Sequence, residues 1–308
     1  MGTPDFAVPS LKALLDAGYD IPLVLTQPDK RGNRGKVIPS PVKVLAEAKG
    51  LEILQPFSLR KDAETITAIK KAEPDFIVVS AYGQILPQSV LDIPRYGCIN
   101  VHGSLLPDLR GASPMQTAIL RGYDKTGVTI MKMEAGLDTG AMISKVDCEI
   151  GKKNIKELAG LLADIGAKLL VDTLPSIADG TAVFTEQDDS LSSYAKLITK
   201  ADGMTDFNEP ADVIERKIRA YYEWPTVYSY LDGQQVKFYS AEELMDEAPS
   251  ADPGTIARVE KDFFTINCAK GQLKITELQL QGKNRMKTAD FLRGRRLDIN
   301  NRFTVKED

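Results

Sequence analysis

Hydrophobic and polar positions in the first 180 residues follow two alternating patterns. Short apolar runs, which are typical of buried strands, fall at residues 21–26, 51–54, 76–80 and 98–102. Apolar residues at helical spacing occur between and after them, at residues 9–17, 41–48, 63–71 and 155–178, and a two-stranded ribbon is predicted at 126–133 and 141–150. Strands that alternate with helices predict an α/β domain whose mostly parallel sheet has helices on both faces.

The second half of the chain has a different pattern. Residues 186–205 are polar and largely aperiodic, as in a linker. After a helix at 211–222, short strands are predicted near 226–231, 235–240, 254–260, 263–268 and 272–280, with turns at 232–233 and 252–254. Several short strands with frequent turns favour a small OB-like β-barrel. We therefore predict a catalytic domain at 1–185, a linker at 186–205 and an OB-like domain at 206–308.

Composition sets the broad class of the protein. Its 308 residues are 43% hydrophobic and 27% charged, with a formal net charge of −4, as in an ordinary globular protein. No apolar run approaches the roughly 20 residues that span a bilayer, and the first residues do not resemble a signal peptide. The three cysteines are odd in number and far apart, so we expect reduced thiols. These features favour a cytoplasmic protein without membrane contact, and we expect a monomer.

The single histidine is the strongest candidate for chemistry. His102 ends a predicted buried strand, and Gly103 follows it. Because strand side chains alternate between faces, Asn100 and His102 point to the same side. Burying two polar groups without partners would cost about 1–3 kcal/mol each. Ligands of open α/β sheets bind at the carboxyl ends of strands, so this pair favours a functional site.

A carboxylate is the expected partner of His102. Asp138 lies in a predicted loop between Gly136 and Gly140, where it could approach the same sheet edge. The chain has no Ser or Cys nucleophile placed as in hydrolases, and one histidine cannot form a His-rich metal site, so we expect no metal. An imidazole, an amide and a carboxylate suit acyl transfer to an external amine instead. The imidazole would handle the amine proton, and Asn100 and His102 would stabilise the oxyanion.

Several motifs together resemble the folate-dependent formyltransferases. The central ones are NVHGSLLP at 100–107, RGASP at 110–114 and LDTG at 137–140. Further segments, at 2–6, 27–29, 39–43 and 81–87, narrow the resemblance to members that act on methionyl-tRNA, over essentially the whole chain. The resemblance implies a Rossmann-like domain with an OB-like domain. It also implies transfer of a formyl group from 10-formyltetrahydrofolate to the α-amino group of methionine on initiator tRNA.

The resemblance also implies roles for individual residues. Asn100, His102 and Asp138 match the catalytic trio of the family, in which Asp138 orients His102. The positions expected to contact the folate are Ser104, Leu105, Leu106 and Pro107, together with Gln84, Ile85 and Leu86. Taken alone, residues 104–107 favour a strand-to-helix turn with core leucines.

Two basic segments are candidates for binding tRNA. The loop at residues 30–36 is expected to contact the acceptor stem, through Arg31, Lys36 and above all Arg34, which best matches the family's arginine. A second cluster lies near the end of the chain, where the expected contacts are Lys283, Arg285 and Lys287, followed by Arg293, Arg295 and Arg296. A small barrel with such a rim can bind a nucleic-acid backbone. A solvated basic loop is the alternative interpretation of the first segment.

One departure from the family concerns the first strand. The family has an apolar strand directly before the GTPDF motif, whereas here only Met1 precedes Gly2. Loss of an inner strand would leave unpaired backbone groups and remove a layer of core. We hypothesise that several apolar residues naturally precede Met1.

Other functions remain open from the sequence. The catalytic domain is also compatible with a 10-formyltetrahydrofolate hydrolase or with a formyltransferase for a nucleotide or sugar amine. A non-catalytic nucleic-acid-binding protein would leave Asn100, His102 and Asp138 without a purpose. A nicotinamide-dependent oxidoreductase is disfavoured because no Gly-x-Gly-x-x-Gly motif follows an early strand.

Overall fold

A computed structural model describes residues 1–31, 37–299 and 301–305, with Arg31 described by its backbone alone. The chain forms two compact units. The first contains residues 1–114, 125–149 and 158–195. The second contains residues 115–124, 150–157 and 196–308.

Within residues 1–31 and 37–195, the structure shows ten strands and six α-helices. The strands are β1 (Val24–Leu25), β2 (Lys30–Arg31), β3 (Val37–Ile38), β4 (Ile53–Leu54), β5 (Ile77–Val79), β6 (Cys98–His102), β7 (Arg110–Gly111), β8 (Lys125–Lys132), β9 (Met142–Glu149) and β10 (Tyr194–Ala195). The helices are α1 (Val8–Asp16), α2 (Pro41–Ala48), α3 (Ala63–Lys71), α4 (Gln88–Leu91), α5 (Pro114–Leu120) and α6 (Ile155–Ala178).

Local sequence signals explain why several of these elements match the predicted bounds. Helix α2 has proline at its first position, and its N-cap Ser40 accepts a hydrogen bond from the Lys43 amide. Asp62 caps α3 in the same way, by accepting from the Thr65 amide. The bounds predicted for α2, α3, α6 and β6 are confirmed.

The sheet around β6 positions the candidate site. Strand β5 pairs in parallel with β6, with Val79 opposite Asn100. On its other side β6 pairs antiparallel with β8, where His102 lies opposite Thr129, and β8 pairs antiparallel with β9. All five residues of β6 are buried. The carboxyl end of a fully covered strand therefore carries Asn100 and His102, as the sequence predicts.

The parallel part of the sheet is interrupted between β1 and β5. Strand β1 pairs in parallel with β4, and Met1 and Gly2 connect this pair to β5 through backbone hydrogen bonds. The Gly2 amide donates to the Leu25 carbonyl at 3.0 Å, and the Ser80 amide donates to the Met1 carbonyl at 2.9 Å. The Met1 amine donates to the Val78 carbonyl at 2.6 Å.

A cavity of about 530 Å³ lies beside this connection. It is lined mainly by apolar side chains, including those of Leu11, Leu14, Val24 and Ile77. Burial lowers the pKa of the Met1 amine from 8.0 to about 6, because the charged form loses its hydration. The apolar strand hypothesised ahead of Gly2 stays a prediction.

The second unit is built on an antiparallel sheet. Its elements are α7 (Ala211–Ala220), β11 (Val227–Leu231), β12 (Gln234–Leu244), β13 (Ile256–Val259), β14 (Phe264–Asn267), β15 (Gln272–Leu280), β16 (Met286–Lys287) and α8 (Thr288–Gly294). The strand order is β11-β12-β15-β14-β13, with β16 beside β15.

The OB-like closed barrel is not confirmed. The described strands form an open order, in which β11 and β13 are the ends of the main path. Single bridges join Tyr230 of β11 to Thr304, and Thr255, which precedes β13, to Arg302. The C-terminal segment thus contacts both ends of the sheet without forming a continuous ladder between them.

Three findings concern the broad class of the protein. None of the described helices has the length and apolar character that crossing a bilayer requires. The described residues contain no cluster of three or more His, Cys, Asp or Glu side chains that could hold a metal ion. Cys98 and Cys268 are buried thiols that are not joined in a disulfide, and burial raises the pKa of each to about 12.

Candidate active site

Strand β6 brings Asn100 and His102 to one face of the sheet. Both side chains are buried, with 9% and 5% of their surface exposed. Their spacing of two residues along a regular strand fixes this arrangement, because alternate side chains share a face. The chain leaves the strand at Gly103, so the pair lies where the sheet opens into a loop.

The loop that carries Asp138 approaches His102. Asp138 Oδ2 lies 3.7 Å from His102 Nδ1, and the carboxylate side chain is only 13% exposed. The Gly111 amide donates to the same Oδ2 at 2.9 Å. Asp138 has a φ of +54°, a left-handed conformation that is uncommon for a residue with a side chain. The predicted proximity of His102 and Asp138 is therefore present.

The other imidazole nitrogen identifies the atom that can accept a proton. His102 Nε2 lies 3.1 Å from the Leu109 carbonyl oxygen. A carbonyl can only accept, so Nε2 carries a hydrogen in the neutral ring. Nδ1 then holds the lone pair, on the side that faces Asp138. This arrangement allows Nδ1 to act as a base and Asp138 to stabilise the resulting imidazolium.

The segment expected to contact folate forms a tightly held turn. The Thr129 hydroxyl donates to the Ser104 carbonyl at 2.7 Å and accepts from the Leu106 amide at 3.1 Å. From the neighbouring strand, the Lys145 ammonium donates to the Leu106 carbonyl, and burial lowers the pKa of Lys145. Ser104 and Leu106 are fully buried, while Leu105 and Pro107 are partly exposed.

The other three expected folate contacts differ from one another. Ile85 is 80% exposed, which is unusual for an isoleucine and leaves its side chain available to a ligand. Leu86 is buried in the core. Gln84 accepts from the Leu59 amide at 2.7 Å and donates to the Pro56 carbonyl at 2.8 Å, so its amide holds the backbone of the preceding loop.

The basic loop begins at an ionic network. Asp29 Oδ2 lies 2.6 Å from Lys43 Nζ, and Gln55 donates to Asp29 Oδ1 at 2.8 Å. These hydrogen bonds, from Gln55 and then Lys43, lower the pKa of Asp29. The network fixes the chain immediately before β2, which pairs antiparallel with β3.

The residues expected to bind tRNA in this loop are only partly described. Arg34 and Lys36 lie outside the described residues. The backbone of Arg31 lies in β2, opposite Val37. The side-chain contacts predicted for this loop stay predictions.

The C-terminal basic cluster is partly neutralised by acidic neighbours. Arg285 forms an ion pair with Glu277, which is the main reason why its pKa is raised, and its guanidinium lies over the rings of Tyr222 and Tyr239. Similar pairs with acidic residues hold the other arginines, namely Arg293 with Asp290, Arg295 with Asp232, and Arg296 with Asp298. Lys283 and Lys287 are exposed.

The sequence did not identify the residues that support the Asp138 loop. Arg110 is 2% exposed, and its Nε donates to Gln187 Oε1 at 2.9 Å. Gln187 Nε2 in turn donates to the carbonyls of Asp138 and Gly140, each at 2.8 Å. Gln187 fell in a polar segment predicted to be a linker, where nothing in the local pattern distinguished it.

The sequence is similar to known proteins over most of its length. The sequence profile of the family described as "Formyl transferase" matches residues 1–174, and that described as "Formyl transferase, C-terminal domain" matches residues 197–296. A protein of Lachnospira eligens named "Methionyl-tRNA formyltransferase" is 46% identical over 305 residues, which cover 97% of this chain and 96% of that protein.

Two solved structures share the fold. An N-formyltransferase from Helicobacter canadensis, in complex with folinic acid and dTDP-3-aminofucose, has a TM-score of 0.65 and 19% identity, and the match covers 89% of this chain and 96% of the other. HypX from Aquifex aeolicus has a TM-score of 0.62 and 16% identity over 89% of this chain and 49% of its own. The present chain therefore spans about half the length of HypX.

Proposed function

The chain belongs to the formyl transferase family, and from this membership we propose that it transfers a formyl group from 10-formyltetrahydrofolate to the α-amino group of methionyl-initiator tRNA. The identity of 46% over nearly the whole of a protein named for that activity supports the substrate pair. The observation that carries the chemistry is the pairing of His102 with Asp138 beside Asn100, at the carboxyl end of a buried strand.

The reaction forms one bond and breaks another at the same carbon. The amine nitrogen attacks the formyl carbon, and the bond from that carbon to the folate N10 breaks, giving a formylated amine and tetrahydrofolate. One proton must leave the amine, and one must reach N10. His102 Nδ1 is suited to both transfers, because Nε2 is committed to the Leu109 carbonyl while Nδ1 holds the lone pair.

Two charges develop as the amine attacks, and the site has a group for each. The formyl oxygen becomes an oxyanion, to which the Asn100 amide can donate a hydrogen bond, while the positive charge of the protonated imidazole stabilises it electrostatically. The imidazolium at Nδ1 faces the Asp138 carboxylate at 3.7 Å. Asp138 is itself fixed by the Gly111 amide, so its negative charge is already in position before the proton moves.

The folate is proposed to bind along the clamped turn at residues 104–107, with exposed Ile85 on the facing loop. Leu86 and Gln84 support that loop from within, so we expect their effect on folate affinity to be indirect. For tRNA we propose the basic loop that contains Arg34, anchored at Asp29. We also propose the cluster with Lys283, Arg285 and Lys287, whose two lysines are exposed and therefore available to phosphates.

A substrate panel tests the proposal. The purified protein is given 10-formyltetrahydrofolate with initiator methionyl-tRNA, elongator methionyl-tRNA, a small amine, or buffer alone. Formylation that is fastest with the initiator tRNA, with one tetrahydrofolate released per formyl group transferred, is the expected result.

The other outcomes correspond to the remaining functions. Release of tetrahydrofolate at the same rate in buffer alone would identify a hydrolase. Preference for the small amine would indicate a nucleotide or sugar acceptor. Salt-sensitive tRNA binding without any turnover would identify a nucleic-acid-binding protein.

A further inference from the structure

We infer that Gln187 is a positioning residue for the reaction, and that buried Arg110 orients it so that both amide hydrogens hold the Asp138 loop. This inference rests on the proposed function, because it assigns to Asp138 the role described above. The evidence for the positioning itself is geometric.

The Gln187 amide has only one orientation that satisfies its neighbours. Its Oε1 accepts from Arg110 Nε at 2.9 Å, and a guanidinium can only donate. The NH₂ group is therefore turned toward the carbonyls of Asp138 and Gly140, both at 2.8 Å. Those two carbonyls belong to the same loop as the Asp138 carboxylate that faces His102.

The dipeptide of Arg110 and Gly111 holds Asp138 from two directions. The Arg110 side chain acts through Gln187 on the backbone of the Asp138 loop, and the Gly111 amide donates to the carboxylate itself. Strand β7 is fixed in turn by its parallel pairing with β10. A Cβ on Gly111 would lie 2.6 Å from the Ala195 carbonyl oxygen, so glycine is required for this close approach.

The buried charge of Arg110 needs a reason beyond stability. Asp189, which also forms an ion pair with Arg110, is 84% exposed, and a solvated carboxylate compensates a buried guanidinium poorly. Apolar residues commonly replace buried ion pairs without loss of stability. The guanidinium donates to Gln187 Oε1, which an apolar side chain cannot do, and this bond determines which end of the Gln187 amide faces the catalytic loop.

The decisive variant is Gln187→Glu. It keeps the volume of the side chain and adds an ion pair with Arg110, so the fold is retained, but it replaces the two donors by an acceptor. We expect kcat to fall about tenfold, since two hydrogen bonds are lost, while the KM for 10-formyltetrahydrofolate stays within twofold. The control is Asp189→Asn, which changes the other Arg110 contact and leaves the loop untouched; its kcat should stay within twofold.

A double-mutant cycle separates positioning from a general structural effect. If Gln187 acts through the Asp138 carboxylate, Gln187→Glu will lower kcat no further in an Asp138→Asn background. An equal drop in both backgrounds would overturn the inference, as would a kcat within twofold of wild type in Gln187→Glu alone.

A second readout needs no turnover. The Gly111 amide hydrogen is bonded to Asp138 Oδ2, so its exchange with solvent should be faster in Gln187→Glu than in Asp189→Asn or wild type. Equal exchange in the three proteins would refute the positioning. Because this measurement uses no substrate, an inactive wild type would contradict the proposed function without deciding the role of Gln187.

Discussion

Replacing Asp138 by asparagine tests the electrostatic part of the proposed mechanism. The asparagine oxygen can still accept from the Gly111 amide, which donates at 2.9 Å in the parent protein, so the loop should keep its shape. What disappears is the negative charge that faces His102 Nδ1. The variant therefore isolates stabilisation of the imidazolium that forms when the amine loses its proton.

The distance gives the size of the expected effect. Two unit charges 3.7 Å apart attract by 332/(20 × 3.7), or about 4 kcal/mol at an effective dielectric constant of about 20. At about 1.36 kcal/mol per tenfold change in rate, this sets a ceiling near 10³. The His102 and Asp138 side chains are both largely buried, so screening by solvent removes only part of this attraction. We expect kcat to fall by about 10²–10³.

Single-turnover formylation of saturating initiator methionyl-tRNA measures this step directly. The folate KM should change little, because the lost interaction strengthens only as charge develops. Asp147→Asn is the matched control, since Asp147 is an exposed carboxylate paired with Lys125 on the same unit. A rate within tenfold of wild type in Asp138→Asn, or an equal loss in the control, would refute the reasoning.

Three further predictions concern other parts of the chain. The Met1 amine has its pKa lowered from 8.0 to about 6, so the unfolded state binds more protons between these values. The free energy of unfolding should therefore rise by about 2 kcal/mol from pH 6 to pH 8. Acetylation of the amine should abolish that component of the pH dependence in urea titrations, and an unchanged slope would contradict it. Asp29→Asn loosens the anchor of the basic loop, so the KM for tRNA should rise severalfold while the folate KM holds; equal changes in both would argue against a tRNA role. Phe303 packs against three buried rings, and Phe303→Ala should cost about 3–5 kcal/mol of stability; a loss below 1 kcal/mol would contradict that packing.

Strand β6 shows what the sequence can predict about the site. Its apolar run indicates a buried strand, and the two polar residues at a spacing of two stand out against it. The side of the sheet shared by Asn100 and His102 follows from that pattern alone. The approach of Asp138 was an expectation from the glycines around it, and the structure brings its carboxylate to 3.7 Å from Nδ1.

The local sequence pattern does not predict the hydrogen-bond network that supports the Asp138 loop. Arg110 and Gln187 are 77 residues apart, and neither has a neighbour in sequence that indicates the other. A buried arginine is explained only by its tertiary partners, which the pairing of β7 with β10 brings into place. The contact between Arg110 and Gln187 could not be predicted from the sequence, because polar residues without periodicity give the same pattern whether they are solvated or packed.

In the second unit, the number of basic residues in the sequence likewise does not show how many of their charges are paired. The cluster from Lys283 to Arg296 is strongly basic in sequence, yet Arg285 and Arg295 pair with Glu277 and Asp232. These acidic residues lie on other strands or turns and reach the cluster only through the fold. Lys283 and Lys287 are therefore better candidates for phosphate contacts than the arginines of the same cluster.

We propose that His102 transfers the proton during formyl transfer to methionyl-initiator tRNA. The most direct test compares wild type with His102→Ala in formylation from 10-formyltetrahydrofolate, alongside the affinity of each protein for the same tRNA. We expect rapid transfer by wild type, a loss of at least 10²-fold in the variant and unchanged tRNA affinity. Transfer by His102→Ala at a rate close to wild type would contradict it.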